Sequence, residues 1–265
     1  LVETLSETLD ADAIAGAIEA IDALASAASC GDPIDAGLPP PEPGQAAKVD
    51  ALRDELGQAW DLRMLGRVER GRERVEALHA QAEAIGYGPL LAEVAAERAY
   101  AELAAGSMAS GRALLNEAID LAERHRHERL LAELWTSAAL LGFSTADDEA
   151  AAAWALRRAE VAWQKFEPDL RSSARLSFAR ARQAEFEGRA QAGQAELRAA
   201  IATIEGREVS EIAALRSALA DSISADAPEA ALAERKRALA DAEHFWGPNH
   251  PQTANYAYKL GAALL

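Results

Sequence analysis

The 265 residues carry 27 Lys and Arg against 43 Asp and Glu, a formal net charge of −16, which argues against the basic face that a nucleic-acid partner demands. Half of the residues are hydrophobic but only 5% are aromatic, so alanine supplies much of the apolar fraction, as in close-packed helices. The lone Cys30 leaves no disulfide framework or thiolate metal site within the chain, and no apolar run reaches the roughly 18 residues of a membrane span.

The charge is uneven. Residues 1–47 hold Glu3, Glu7, Asp10, Asp12, Glu19, Asp22, Asp32, Asp35 and Glu42 and no Lys or Arg. Such a segment reads as a solvated, solubilising face or as a dock for a basic partner. Within it Ile14, Ile18, Ile21 and Leu24 form one apolar helical stripe, with Asp10 or Asp12 as N-cap. Residues 29–44 break the pattern with Gly-Asp-Pro and then Gly37-Leu-Pro-Pro-Pro-Glu-Pro-Gly44, a linker or strap across the surface and the best internal boundary. Residues 1–44 are therefore expected as an acidic helical cap with a Pro-rich linker, and 45–265 as one helical array.

Helices then alternate with short breaks. The first runs from Gln45 to about Leu65 and the second to Ile85, ending at Gly86-Tyr87-Gly88-Pro89. A third starts at Leu90 and stops at Gly106. The fourth carries Leu114, Leu115 and Leu121, and the fifth breaks at Gly142–Thr145. The sixth breaks at Pro168, with the acidic run Asp147-Asp148-Glu149 suited to its N-terminus. Later ends fall at Gly188, Gly206, before Asp226-Ala227-Pro228, and at Gly247-Pro248; the eleventh is cut off at Leu265. No stretch alternates with period two, so no strands are expected. The missing initiator Met and the helical pattern at the last residues mark the chain as a piece of a longer protein, and the apolar face of Tyr256, Leu260 and Leu264 is expected to need cover.

A repeat emerges from the second helix of each pair. Gly71, Gly111, Ala152, Gly193 and Ala231 are followed four residues on by Val75, Leu115, Leu156, Leu197 and Arg235, and seven on by Leu78, Ala118, Ala159, Ala200 and Ala238. Successive copies lie 40, 41, 41 and 38 residues apart. Positions i, i+4 and i+7 share one helical face, where small residues allow close helix approach.

This pattern resembles the tetratricopeptide (TPR) repeat, and its length resembles the kinesin-light-chain type. The joint Gly247-Pro248-Asn249-His250-Pro251, followed by Lys259-Leu260-Gly261, is similar to that type's inter-repeat joint, with Lys259 where Asn is usual and Arg235 in place of a large apolar residue. The words Tyr87-Gly88-Pro89-Leu90-Leu91-Ala92-Glu93, Glu133-Leu134-Trp135-Thr136, Leu141-Gly142-Phe143 and Glu149-Ala150 through Trp154, in this order, resemble the region following the kinase domain of large bacterial serine/threonine kinases. That resemblance implies an all-α right-handed solenoid of about five helix pairs plus a truncated helix. It implies a location in the cytoplasm or, behind a membrane anchor, outside it. There Cys30 would pair with an upstream cysteine, or remain a buried or linker thiol.

Chemistry is hard to find. No kinase loop, nucleophile elbow or His-x-x-x-His is present, and His125 and His127 point apart on a helix. His250 suits a loop bond or a helix cap. Trp60, Trp135, Trp154 and Trp163 read as packing residues or as the floor of a groove. No catalytic residue, metal site or cofactor is assigned. In TPR arrays the first helix of each pair lines a groove for peptides. The resemblance thus nominates Glu93, Glu97 and Tyr100, then Glu133 and Thr136, then Arg175, Phe178 and Arg182, and finally Arg216, Asn255 and Lys259, a face graded from acidic to basic. The expected function is a non-catalytic scaffold binding a protein or peptide, as the sensor or substrate-docking region of a kinase, with neither nucleic-acid binding nor membrane insertion. The alternatives are a self-association module that forms a homo-oligomer through terminal helices, and a small-ligand-binding regulatory solenoid, for which no convergent polar constellation exists.

Overall fold

The computed structural model describes residues 37–145 and 148–264. The acidic N-terminal helix with Asp10 and Asp12, Cys30, and the first part of the 29–44 linker lie outside the described residues.

Among the described residues there are eleven helices and no strand. They are α1 (Ala46–Met64), α2 (Val68–Ile85), α3 (Gly88–Ala104), α4 (Met108–Arg124), α5 (Glu128–Thr145), α6 (Glu149–Trp163), α7 (Leu170–Phe186), α8 (Ala190–Ile204), α9 (Glu211–Ile223), α10 (Pro228–Trp246) and α11 (Pro251–Ala262). None is long and apolar enough to cross a membrane. The described residues divide into two compact units, 37–134 and 135–264, with the division inside α5.

The breaks have local causes. At the end of α2, Gly86 adopts φ +75°, a left-handed C-cap that costs glycine little. Asp148 caps α6 by accepting from the Ala151 N–H at 2.9 Å, and Asp169 caps α7 by accepting from the Ser172 N–H at 2.7 Å. His250 caps α11: its Nδ1 accepts from the Gln252 N–H at 3.1 Å, and its ring stacks on Trp246 at 5.9 Å. The Pro-rich segment is held to the α2–α3 turn, where the Tyr87 hydroxyl donates to the Pro39 carbonyl at 2.9 Å and Gln45 Nε2 donates to the Ile85 carbonyl at 2.7 Å.

Two expected boundaries move. α3 begins at Gly88, with Pro89 in its first turn, where the missing N–H costs nothing. α5 continues through Gly142 to Thr145, where the Ser144 and Thr145 hydroxyls donate back to the Leu140 and Leu141 carbonyls. Gly142 is there for contact, because a Cβ would stand 2.7 Å from the Ala152 Cβ of α6.

The small–large–small face forms the seam within each pair. Val75, Leu115, Leu156 and Leu197 are at most 1% exposed, as are Leu78, Ala118, Ala159 and Ala238; burying a Leu or Val contributes about 1.5–3 kcal/mol. A Cβ on Gly71 would lie 3.0 Å from the Ala59 carbonyl oxygen, and one on Gly193 would lie 2.8 Å from that of Ala181. The lost helix propensity is thus offset by backbone approach. In the first unit Val49, Leu52, Leu90 and Val94 join this seam. In the second, Ile204, Ile212, Leu215, Leu219 and Phe245 do so. There Tyr256 is buried, stacked on Trp246 at 6.1 Å, while Leu264 is 62% exposed.

Candidate interaction face on the first helices

The first helix of each pair (α1, α3, α5, α7, α9) and α11 carry polar side chains that reach one another at intervals of one repeat. In the first unit Arg53 of α1 makes a two-pronged bond to Glu93 of α3, Nε at 2.9 Å and Nη2 at 2.7 Å. Arg63 repeats this with Glu97 at 2.7 and 3.0 Å, and its guanidinium lies 5.6 Å from the Tyr100 ring centre. His127, at the start of α5, brings Nε2 to 3.3 Å from the same Glu93. Glu133 sits 3.8 Å from Arg129 one turn earlier in α5.

In the second unit Arg175 of α7 donates to the Ser137 hydroxyl of α5 at 2.8 Å, and Arg171 of α7 donates to Glu211 of α9 at 2.7 Å. Lys259 of α11 donates to Ser217 at 3.0 Å and to Asp221 at 3.3 Å, both on α9. These partners are separated by 34 to 42 residues, the length of a repeat.

The remaining nominated residues have other duties. Thr136 is 2% exposed and accepts from the Trp163 indole N–H at 3.1 Å. Phe178 packs half-buried on the core of its unit. Arg182 bonds Glu185 at 2.6 Å in its own helix and covers the Phe186 ring at 5.8 Å. Arg216, 6% exposed, is a hub: its guanidinium meets Asp241 at 2.9 Å, Glu234 at 3.2 Å and Glu205 at 2.8 Å. Asn255 is exposed on α11. The structure thus brings Glu93, Glu97 and Tyr100 together in one unit, and Arg175 and Lys259 onto first helices in the other, while Glu97, Thr136 and Arg216 are buried and not open to a partner.

Electrostatics follow from this wiring. Burial opposes the Glu93 charge, but hydrogen bonds from His127 and Arg53 outweigh it and hold its pKa below the ordinary carboxylate value. Burial raises the Asp241 carboxyl, and attraction to Arg216 offsets only part of that rise. Arg175 differs from both: its bond is to a neutral hydroxyl, so no carboxylate among the described residues compensates its charge.

Arg53, Arg63, Arg171, Ser137 and Asp221 belong to this face and were not nominated. Their signal is present in the sequence as polar pairs one repeat apart on successive first helices. Among the described residues no group of three or more His, Cys, Asp or Glu is placed to hold a metal.

No protein-family model matches the sequence, and no curated protein matches it. Solved structures do. The chain is 20% identical to TTC0263, a thermophilic TPR protein of Thermus thermophilus, over 80% of this chain and 98% of that one, with a TM-score of 0.52. It is 18% identical to the nearly identical TPR-like repeats of a putative kinesin light chain from Podosopora anserina, over 74% of this chain and 96% of that one, with a TM-score of 0.50. These likenesses show the fold: an all-α solenoid of TPR-like helix pairs.

Proposed function

We propose that the chain is a non-catalytic scaffold whose first-helix faces bind a protein or extended peptide. The observation that carries this reading is the uncompensated guanidinium of Arg175, anchored by Ser137 on a face already cross-braced by Arg171–Glu211 and Lys259–Asp221. A cation held in place on a braced surface can take a carboxylate with little loss of side-chain freedom. In the first unit the carboxylates of Glu93 and Glu97 are matched by Arg53 and Arg63, so that face is close to neutral and reads shape more than charge.

The narrower reading, a sensor or substrate-docking region following a bacterial serine/threonine kinase domain, is supported by the ordered words from Tyr87-Gly88-Pro89 to Trp154 and the joint at Gly247–Pro251. The test is fluorescence anisotropy of the full chain against matched panels of acidic and basic peptides. Acidic peptides are expected to bind, and Arg175→Glu to weaken them about tenfold, the worth of one charge-assisted contact. Binding that is indifferent to peptide charge, or to Arg175→Glu, overturns the reading.

A further inference from the structure

Two registers run along the first helices and on into α11. At steps of 39 to 42 residues, Leu52, Ala92, Ala132, Ala174, Ala213 and Ala254 hold one place on successive helices. Seven residues further on, Ala59, Ala99, Ala139, Ala181, Ala220 and Gly261 hold the next. The five earlier members of each register are at most 3% exposed. Ala254 and Gly261 are exposed, and Tyr258 between them is 75% exposed.

At two of the earlier places the cover is a second helix in close approach. A Cβ on Gly71 of α2 would stand 3.0 Å from the Ala59 carbonyl oxygen, and one on Gly193 of α8 would stand 2.8 Å from that of Ala181. A Cβ on Gly261 would meet nothing within 4 Å. α11 therefore presents one half of a seam that the earlier helices have closed.

Charge and shape fit the same occupant. α11 has a single charged side chain in its twelve residues, Lys259, and that is bonded to Ser217 and Asp221 of α9. The exposed stripe Ala254, Ala257, Tyr258 and Gly261 is neutral, in a chain of net charge −16. Beside its C-terminal end lies a groove of about 370 Å³, lined by Pro228, Glu229, Ala231, Leu232 and Arg235 of α10 and by Ala263. The Nε of Arg235 has no hydrogen-bond acceptor among the described residues.

We propose that this face docks an alanine-rich helix of a partner protein, built on the pattern of the second helices here. Its small residue sits on Gly261 and a Leu or Val four residues on points toward Ala254, as Gly193 and Leu197 of α8 pack with Ala181 and Ala174. Its first turn lies over the groove beside α10, where it can offer Arg235 an acceptor. The interface continues the seams within the array, and it does not rest on the charge reading proposed for Arg175.

The probe is a fluorescent peptide with the sequence of α8, residues 190–204, titrated with the full chain. A staple between positions 195 and 199, both exposed in the array, removes the cost of forming a short isolated helix. Saturable binding of one peptide per chain is expected. Gly261→Leu in the chain, or Gly193→Leu in the peptide, is expected to weaken it at least tenfold. Because position 261 faces open space, Gly261→Leu should leave Tm unchanged or raise it. No binding, or binding indifferent to both substitutions, overturns the proposal. Sedimentation of the chain alone should show a monomer; a dimer that Gly261→Leu dissolves overturns the proposal in favour of a second copy as the occupant. Should Gly261→Leu lower Tm, the exposed Tyr258→Asp decides, with at least a fivefold loss of peptide affinity expected.

Discussion

Glu93 is held by Arg53 on one side and His127 on the other, and is only 16% exposed. Removing its charge weakens the bonds from both donors. Glu93→Gln should cost about 1–3 kcal/mol at neutral pH, the penalty for an unmatched partly buried hydrogen bond. The pH dependence has a definite sign. A carboxyl whose folded pKa is depressed stabilises the fold above its unfolded value, and that stability is lost as pH falls through the folded value. Urea unfolding at pH 7 should therefore separate wild type from variant, and the gap should narrow as pH falls below the ordinary carboxylate range. A gap that persists at low pH would show that Glu93 acts by packing alone. Asp241 works in the other direction: its raised pKa gives stability that is present at low pH and declines as pH rises through the folded value. Residue roles were legible where they are local. His250 as a cap and Asp148 at a helix start follow from neighbours in sequence. The partners of Glu93 and Glu97 lie 34 to 40 residues away, so a helix-face argument found the carboxylates without finding what holds them.

At the scale of elements, glycines separate two kinds of helix position. Gly193 is in α8 because a Cβ would meet the Ala181 carbonyl oxygen of α7 at 2.8 Å. Gly193→Ala should push the pair apart and cost about 1–3 kcal/mol by overpacking. Gly57 lies in α1 with nothing within 4 Å of a Cβ, so Gly57→Ala should stabilise by about 0.5–1 kcal/mol through helix propensity and reduced unfolded-state freedom. Thermal unfolding of both variants checks the contrast; the opposite ordering would mean that the seam is not held by backbone approach. Helix number and most helix ends were legible because Gly and Pro punctuate them. The α5 end was not, since Gly142 marks a contact with Ala152 and not a break. Trp154, expected as packing or the floor of a groove, packs edge-on against Trp135 while standing half exposed on α6. Helical spacing alone gives an apolar residue no direction until its neighbours are known.

For the whole molecule, the interval of 38 to 41 residues governs both packing and polar wiring. The same period that stacks Gly71, Gly111 and Gly193 against their neighbours brings Arg53 to Glu93 and Arg171 to Glu211. Repeat arrays distribute stability over such nearest-neighbour seams, and their binding surfaces are what remains after the seams have used their share of side chains. Here that remainder includes Arg175. Whether the first-helix face reads partner charge directly is decided by a charge-reversal cycle on this residue. Arg175→Glu is measured by anisotropy against the selected acidic peptide and against the same peptide with its contacting carboxylate replaced by lysine. The reversed pair should recover most of the affinity each single reversal loses, a coupling of about 1 kcal/mol or more. Losses that simply add, with no recovery, would contradict direct reading of partner charge by that face.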